Sequence, residues 1–132
     1  MATRVKLTTK GFDEYLEAIA RAGKSVDAAA DEALGANGGG GVILDGMQRR
    51  VPKDTGNLES HLNIDGPHQD GNFHYVLVGL NGADADTARY GTAQEYGWAS
   101  HPGQPYLRPS IDEDKNRAAK AIKAILQKWG LV

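Results

Sequence analysis

Apolar residues recur at intervals of three and four along residues 12–22, which is the spacing of an amphipathic helix. The apolar stripe consists of Phe12, Tyr15, Leu16, Ile19 and Ala20. Charged residues take the other face, and a glycine follows at position 23. The pattern therefore predicts a helix over residues 12–22.

A second helical pattern follows Ser25, a residue type that caps helix N-termini, and reaches position 50. Residues 35–41 interrupt it with five glycines. Each glycine inside a helix is destabilising by about 1 kcal/mol relative to alanine, which favours a hinge between two helices. Positions 26, 30, 33, 37, 40, 44, 47 and 51 nevertheless keep one face in phase. We therefore expect one long, locally distorted helix over residues 25–50, closed by Pro52.

The hydrophobic period changes to two after residue 57. Residues 52–57 predict a tight turn in which Gly56 supplies a positive φ. Residues 58–64 alternate apolar and polar positions and predict a half-buried strand. Residues 66–71 form a polar connection to a second predicted strand at residues 72–80, which are rich in aromatic and β-branched side chains. The two strands predict an antiparallel hairpin.

The remaining segments predict a loop, an irregular strand and a final helix. Residues 81–86 form the loop, and residues 87–98 combine aromatic residues with interrupting glycines, which predicts a bent or bulged strand. Residues 99–104 are expected to be irregular. The last helix begins at Pro109 and ends at Gly130. Acidic residues at positions 112–114 are expected to complement the positive end of its dipole.

The element order predicts an α+β fold in a single domain spanning residues 1–132. It has N-terminal helices, a small and partly bulged antiparallel β-sheet, and a C-terminal amphipathic helix packed on the sheet. A chain of 132 residues suits one domain.

Composition narrows the function classes. The absence of cysteine excludes disulfides, thiolate nucleophiles and cysteine-ligated metals. No stretch approaches the roughly 18 apolar residues of a membrane span, and no signal peptide begins the chain. A net charge of −2 disfavours a generally basic nucleic-acid coat. The 17 glycines make up about 13% of the 132 residues, nearly double the usual ~7%, and must occupy particular places.

The usual patterns of cofactor and metal sites are missing. Residues 38–41 lack both the preceding strand and the following lysine of a phosphate-binding loop. The four histidines, His61, His68, His74 and His101, are scattered and place no pair of ligands on one helix face. We therefore expect no catalytic residue, no cofactor and no metal.

Two features leave alternatives to a non-enzymatic, structural protein. Glu95 could in principle act as a general acid, although a lone carboxylate favours a buried or interfacial structural role. The C-terminal helix carries five basic and no acidic residues from Lys115 to Lys128. That stripe is either a solvated face or a contact for phosphate backbones. The alternatives are therefore a small cytosolic nucleic-acid-binding module, or a small enzyme that uses Glu95 and histidines.

Two segments resemble the signature of a family of long-tailed phage tail components. Residues 51–58 (VPKDTGNL) are similar to its "P-x-D-T-G-x-L" turn through Pro52, Asp54, Thr55, Gly56 and Leu58. A "Y-A-x-x-V-E-x-G" strand and a "P-F-L-R-P" segment follow in the family. The corresponding residues here are Tyr90, Glu95, Tyr96, Gly97, Trp98, Pro105, Tyr106, Leu107, Arg108 and Pro109. The opening and closing helices extend the resemblance over nearly the whole chain. Departures are Gln94 for the usual valine, Trp98 for the usual threonine, and the glycine run.

The family is typified by the tenth gene product of the Hong Kong-type siphophage and is also described as neck or tail-completion proteins. The resemblance implies a structural virion protein at the head–tail junction, made in the bacterial host cytoplasm. Its implied partners are tail-tube or terminator proteins and head–tail connector proteins, without a membrane. The implied assembly is a homo-oligomeric ring in the virion, and the isolated chain is expected to be a monomer. DNA contact is expected only where the ring lines the DNA channel. We expect Tyr96, Trp98 and Tyr106 to serve either an interface or the core. Residues 67–71 and 81–86 are candidates for ordering on assembly.

Overall fold

The computed structural model describes residues 3–130 as a helical layer packed on one face of a three-stranded sheet. This arrangement confirms the predicted α+β class with a C-terminal helix. The helices and strands, in chain order, are β1 (Arg4–Thr8), α1 (Asp13–Arg21), α2 (Val26–Leu34), α3 (Gly39–Arg50), α4 (Asn57–His61), β2 (Asn63–Asp70), β3 (Phe73–Gly79), α5 (Ala85–Tyr96) and α6 (Leu107–Gly130). No helix within these residues is long and apolar enough to cross a membrane.

The sheet is antiparallel, with strand order β1-β3-β2. The predicted hairpin is confirmed, because β2 and β3 pair in sequence and β3 matches the predicted second strand. The polar connection expected at residues 66–71 is wrong, since β2 continues to Asp70 with a register shift between Asp65 and His68. Residues 66–70 are solvent-exposed, so they form a strand without an apolar alternation to reveal it.

Sequence reasoning missed β1 and misassigned the start of β2. The first four of the five residues of β1 alternate exposed and half-buried positions, a pattern too short to stand out. The predicted strand at residues 58–64 is wrong in its first half, which is the single-turn helix α4. Leu58 and Leu62 lie four residues apart and are both buried. That spacing fits one helical face as well as it fits alternation.

The bent strand predicted at residues 87–98 is wrong, because residues 85–96 form α5. Asp84 caps this helix by accepting a hydrogen bond from the Thr87 amide at 3.1 Å. The buried face of α5 consists of Thr87, Gly91, Gln94 and Glu95. Because it contains no large apolar side chain, it leaves no hydrophobic periodicity in the sequence. The irregular segment that follows is as predicted, apart from a bridge between Trp98 and His101.

The single long helix expected over residues 25–50 is wrong, and the alternative of two helices is what the structure shows. Ser25 caps α2 as predicted, accepting from the Ala28 amide at 3.2 Å. The chain leaves helical geometry at Gly35 and re-enters it after Gly38, whose φ and ψ are −125° and −141°. The helix breaks at the glycines because glycine is unfavourable inside a helix. The apolar positions keep a common spacing across the break because α2 and α3 each turn one face into the core.

The glycines at the start of α3 allow backbone to approach backbone. A Cβ at Gly40 would overlap the Leu34 carbonyl oxygen, and one at Gly41 would overlap the Ala36 carbonyl oxygen. On the α6 side, a Cβ at Gly39 would lie 2.7 Å from Ile122 Cγ1. The run is therefore a junction at which α2, α3 and α6 meet too closely for side chains.

Helix α6 runs beside α1, α2 and α3 and closes the core. Its buried residues include Leu107, Ala118, Ile122 and Leu126. It begins two residues before the predicted start, so Asp114 lies two turns inside the helix rather than at its N-terminal end. The predicted dipole role for residues 112–114 is therefore wrong.

Candidate interaction surface

The segments that carry the family resemblance meet at one side of the molecule. Residues 52–58, which comprise the turn and the first two residues of α4 and are called the 52–58 turn below, border a cleft of about 280 Å³ together with α5. The side chain of Asn57 donates to Thr87 Oγ1 at 3.2 Å across the base of this cleft. Gly56 has the predicted positive φ, +76°. The lining residues are Pro52, Asp54, Thr55, Asn57, Leu58, Asp86, Thr87 and Tyr90.

Behind the cleft, Gly91 is the point at which three of these segments touch. Leu58 and Tyr106 are both buried, and each packs against the backbone of Gly91. A Cβ at that position would lie 2.8 Å from the Tyr106 hydroxyl and 3.4 Å from Leu58 Cδ2. The Tyr106 hydroxyl donates to the Gly91 carbonyl oxygen at 3.1 Å. The turn, α5 and the start of α6 are therefore held together as one unit.

The Glu95 carboxylate holds the N-terminus of α6, an arrangement that we call the Glu95 clamp. Its Oε1 accepts from the amides of Tyr106 and Leu107, each at 2.8 Å. Its Oε2 accepts from the Arg108 amide at 3.1 Å and from Arg108 Nε at 2.8 Å. The next residue, Pro109, has no amide hydrogen to satisfy. The clamp thus occupies the unpaired amides that begin α6, where the helix dipole favours negative charge.

Glu95 is fully buried, and the hydrogen-bond donors around it favour the charged carboxylate over the neutral acid. Burial by itself would raise the pKa of Glu95, but the hydrogen bonds from Leu107, Arg108 and Tyr106 outweigh it and hold the pKa below the ordinary value of 4.5. Burial and the charge of Glu95 raise the pKa of the Tyr106 phenol, which keeps the hydroxyl protonated as the donor to Gly91. A carboxylate with every acceptor position occupied is suited to holding structure.

Three large apolar side chains stand exposed at the outer side of this unit. Tyr90, Tyr96 and Trp98 have relative exposures of 41%, 42% and 46%. Tyr96 lies beneath the Arg108 guanidinium, 4.6 Å from ring centre to Cζ, and Trp98 stacks on His101 with ring centres 4.9 Å apart. Of the two roles considered for the aromatics, Tyr106 belongs to the core, whereas Tyr96 and Trp98 are at the surface.

Trp98 is presented by a tight reversal of the chain, residues 97–105, which we call the aromatic turn. Gly97 has φ +83°, and a Cβ there would lie 2.8 Å from the His101 carbonyl oxygen. The Trp98 and His101 backbones pair in both directions, at 3.1 and 2.8 Å. Pro105 is exposed and leads directly into the Glu95 clamp. The clamp and the backbone pairing thus hold the segments on either side of the turn that presents Trp98.

A partly buried group of ion pairs that sequence reasoning missed joins α3 to α6. Arg50 Nη1 lies 2.7 Å from Asp114 Oδ2, and Arg50 Nη2 lies 2.6 Å from Glu113 Oε2. A Cβ at Gly46 would overlap the Asp114 carboxylate, so this glycine makes room for the pair. The hydrogen bond with Arg50 lowers the pKa of Asp114 despite burial. Arg50 and Asp114 are 64 positions apart in the chain, so no local pattern could have revealed the contact.

The histidines remain scattered in the structure. His74 is buried, and its Nε2 lies 3.1 Å from Asp27 Oδ1. His68 contacts Asp65, and His61 lies near Asp84 at 4.0 Å. Within residues 3–130, no group of three or more histidine and acidic side chains is placed to hold a metal ion.

The outer face of α6 is basic. Its lysines at positions 115, 120, 123 and 128 are exposed. Within the described chain, none of these four lies within ion-pair distance of a carboxylate, while Arg117 contacts Asp114 at 3.2 Å.

No protein-family model matches the chain, and neither a curated protein nor a solved structure matches it.

The two buried carboxylates predict a loss of stability in acid. Because the pKa values of Glu95 and Asp114 are lower in the folded chain than their ordinary values of 4.5 and 3.8, their contribution is present above those values and is lost as pH falls through the folded values. We expect the free energy of unfolding to fall steeply below about pH 4. Urea unfolding across a pH series measures this dependence. Asp114→Asn should flatten it, and the exposed neighbour in Asp112→Asn should not.

Proposed function

We propose that this chain is a structural protein of the head–tail junction of a long-tailed phage or prophage, acting in tail completion as a neck adaptor. The observation that carries the proposal is the convergence of the signature segments. The 52–58 turn, α5 and the start of α6 meet around Gly91, although they are distant in sequence. The residues that resemble the family signature thus form one structural unit instead of lying apart on the surface.

The chemistry of that unit supports a role in protein–protein contact. The Glu95 carboxylate is occupied by the helix that it caps, and the large apolar side chains exposed near it are all aromatic. Rigid aromatic side chains are enriched at protein interfaces and at their energetic centres. We propose that Tyr96 and Trp98 contact a tail-tube, terminator or connector protein in a homo-oligomeric ring. DNA contact by the basic face of α6 is proposed only where that face lines the channel.

The proposal is tested by deleting the gene from the phage or prophage that encodes it. Electron microscopy of the lysate should show complete heads and complete tails that remain separate, and plaque counts should fall. Expression of the intact chain from a plasmid should restore joined particles. Normal infectious particles from the deletion strain would refute the proposal.

The aromatic turn gives a sharper prediction within the same assay. Trp98→Ala removes a side chain that is 46% exposed, so the free energy of unfolding should stay within about 0.5 kcal/mol. Plasmid rescue of infectious particles should nevertheless fall by at least about tenfold, as for an interface anchor. Phe73→Ala, which truncates an aromatic residue of the hairpin away from the aromatic turn, is the matched control and should rescue normally. Equal rescue by both variants would show that the aromatic turn is not part of the interface.

A further inference from the structure

Strand β1 leaves one row of backbone groups unpaired at the edge of the sheet. The amide of Thr9 donates to the His74 carbonyl oxygen at 3.0 Å, and that of Leu80 donates to the Thr3 carbonyl oxygen at 2.9 Å. In the antiparallel register these bonds fix Val5 and Leu7 as the residues that bond to β3. The amide and carbonyl groups of Arg4, Lys6 and Thr8 therefore point away from the sheet. Within residues 3–130 these groups have no backbone partner.

The opposite edge of the sheet is not equivalent. In β2 the register shifts between Asp65 and His68, and Pro67 in that interval has no amide hydrogen. Proline and register irregularities are features that protect an edge from pairing with another chain. Strand β1 has a continuous register over its five residues and no proline. Only the β1 edge therefore offers an uninterrupted row of donors and acceptors in the described sheet.

A cleft lies alongside this edge on the helical side of the sheet. It has a volume of about 290 Å³ and is bordered by the first two residues of β1, the end of α5 and the start of α6. Apolar atoms of Val5, Leu107 and Ile111 face it, together with the exposed ring of Tyr96. A strand added next to β1 would direct alternate side chains into this cleft, because successive side chains of a strand point to opposite faces.

The charges on the other face of β1 indicate which side chains an added strand should place on that face. Arg4 and Lys6 are exposed there, and Arg108 stands at the rim of the cleft. The carboxylates nearby are Asp112, also at the rim, and Asp70, which lies 3.3 Å from Lys6. Opposite charges directly across neighbouring strands stabilise pairing, and like charges oppose it.

We propose that β1 is a strand-addition site for an extended segment of another protein that alternates apolar and acidic side chains. The segment hydrogen-bonds to the outward groups of Arg4, Lys6 and Thr8, places its apolar residues in the cleft and sets its acidic residues opposite Arg4 and Lys6. Main-chain bonding supplies the affinity and the alternate side chains supply the specificity. The site is argued separately from the neck role, because it rests on the edge of the sheet, the cleft beside that edge and the charges of Arg4 and Lys6.

The test uses the full chain, labelled with ¹⁵N, and a short capped peptide that alternates glutamate with valine. Amide hydrogen exchange of Arg4, Lys6 and Thr8 should be fast in the free protein and should slow by at least about tenfold at saturating peptide. The amides of Val5 and Leu7 should be slow throughout, which reports that β1 is folded. A peptide of the same composition with its glutamates in one block should give no slowing.

Two variants separate the backbone contribution from the charge. Lys6→Pro removes an amide hydrogen that points away from β3, so the sheet should persist while peptide affinity falls by about tenfold or more. Lys6→Gln keeps that amide and should weaken the peptide by only about two- to threefold. Three results would overturn the proposal: no slowing at Arg4, Lys6 and Thr8, equal binding of a lysine–valine peptide, or slowing without peptide that rises with protein concentration. The last would assign the edge to a second copy of this chain.

Discussion

Replacing Glu95 with glutamine is expected to lower the free energy of unfolding by about 3 kcal/mol or more. The carboxylate is fully buried and accepts from three amides and the Arg108 guanidinium. A glutamine of the same size presents only one acceptor oxygen, and its own NH₂ group then faces the Arg108 donors. Buried donors that lose their acceptor are destabilising, and the guanidinium also loses its counter-charge.

Urea unfolding of the purified variants measures this effect against two comparisons. Arg108→Gln should lower the free energy of unfolding far less than Glu95→Gln does, because the arginine side chain is 54% exposed and the three amides still hold the carboxylate. Glu14→Gln on the exposed face of α1 should change it by less than about 0.5 kcal/mol. A larger loss from Arg108→Gln than from Glu95→Gln would show that the ion pair, and not the capping of α6, is the source of the stability.

The second large effect is expected at the junction between α2 and α3. Gly41→Ala should lower the free energy of unfolding by about 2 kcal/mol, although alanine is the better helix former at an ordinary helical position. The new Cβ would overlap the Ala36 carbonyl oxygen and lie 2.8 Å from the Ala36 carbonyl carbon, both of which are backbone atoms. A backbone carbonyl cannot rotate away as a flexible side chain can. The segment between α2 and α3 would therefore have to move apart to accept the alanine.

Gly130→Ala is the matched control for this substitution. It also replaces a helical glycine, but its nearest neighbours would be Ala18 Cβ at 3.8 Å and Ile19 Cγ1 at 3.9 Å, which is ordinary contact. Thermal or urea unfolding should therefore show no loss, or a gain of up to about 1 kcal/mol. A gain at Gly41 as well would mean that α2 and α3 are free to join into one helix.

The sequence predicted those elements whose burial follows a regular period. Helix α1 and strand β3 have apolar residues at the spacing of their own geometry, and both lie where expected. Helix α5 does not, because its buried face holds Gly91, Gln94 and Glu95 instead of large apolar residues. This polar buried face contacts the Tyr106 hydroxyl and the first amides of α6. Because these partners lie outside α5, the residues of α5 by themselves do not reveal the contact.

The candidate site divides in the same way. The turn at Gly56 could be predicted, because a positive φ has a local signature in the residue type. The Glu95 clamp and the Arg50–Asp114 pair could not, because their partners lie 11–13 and 64 positions away in the chain. For the glycine run, the energetic argument for a break was the correct one. The regular spacing of apolar residues that suggested one continuous helix arises because α2 and α3 each bury one face in the core.

Helix α6 also has a mechanical consequence. With 24 residues it is about 36 Å long, and it is anchored at one end by the Glu95 clamp and at the other by the Trp129 indole, which donates to Glu32 of α2. Between these two ends α6 packs against α1, α2 and α3, so one continuous element joins the clamp to the core helices. A substitution that opens the clamp is therefore expected to loosen the packing of all three helices together.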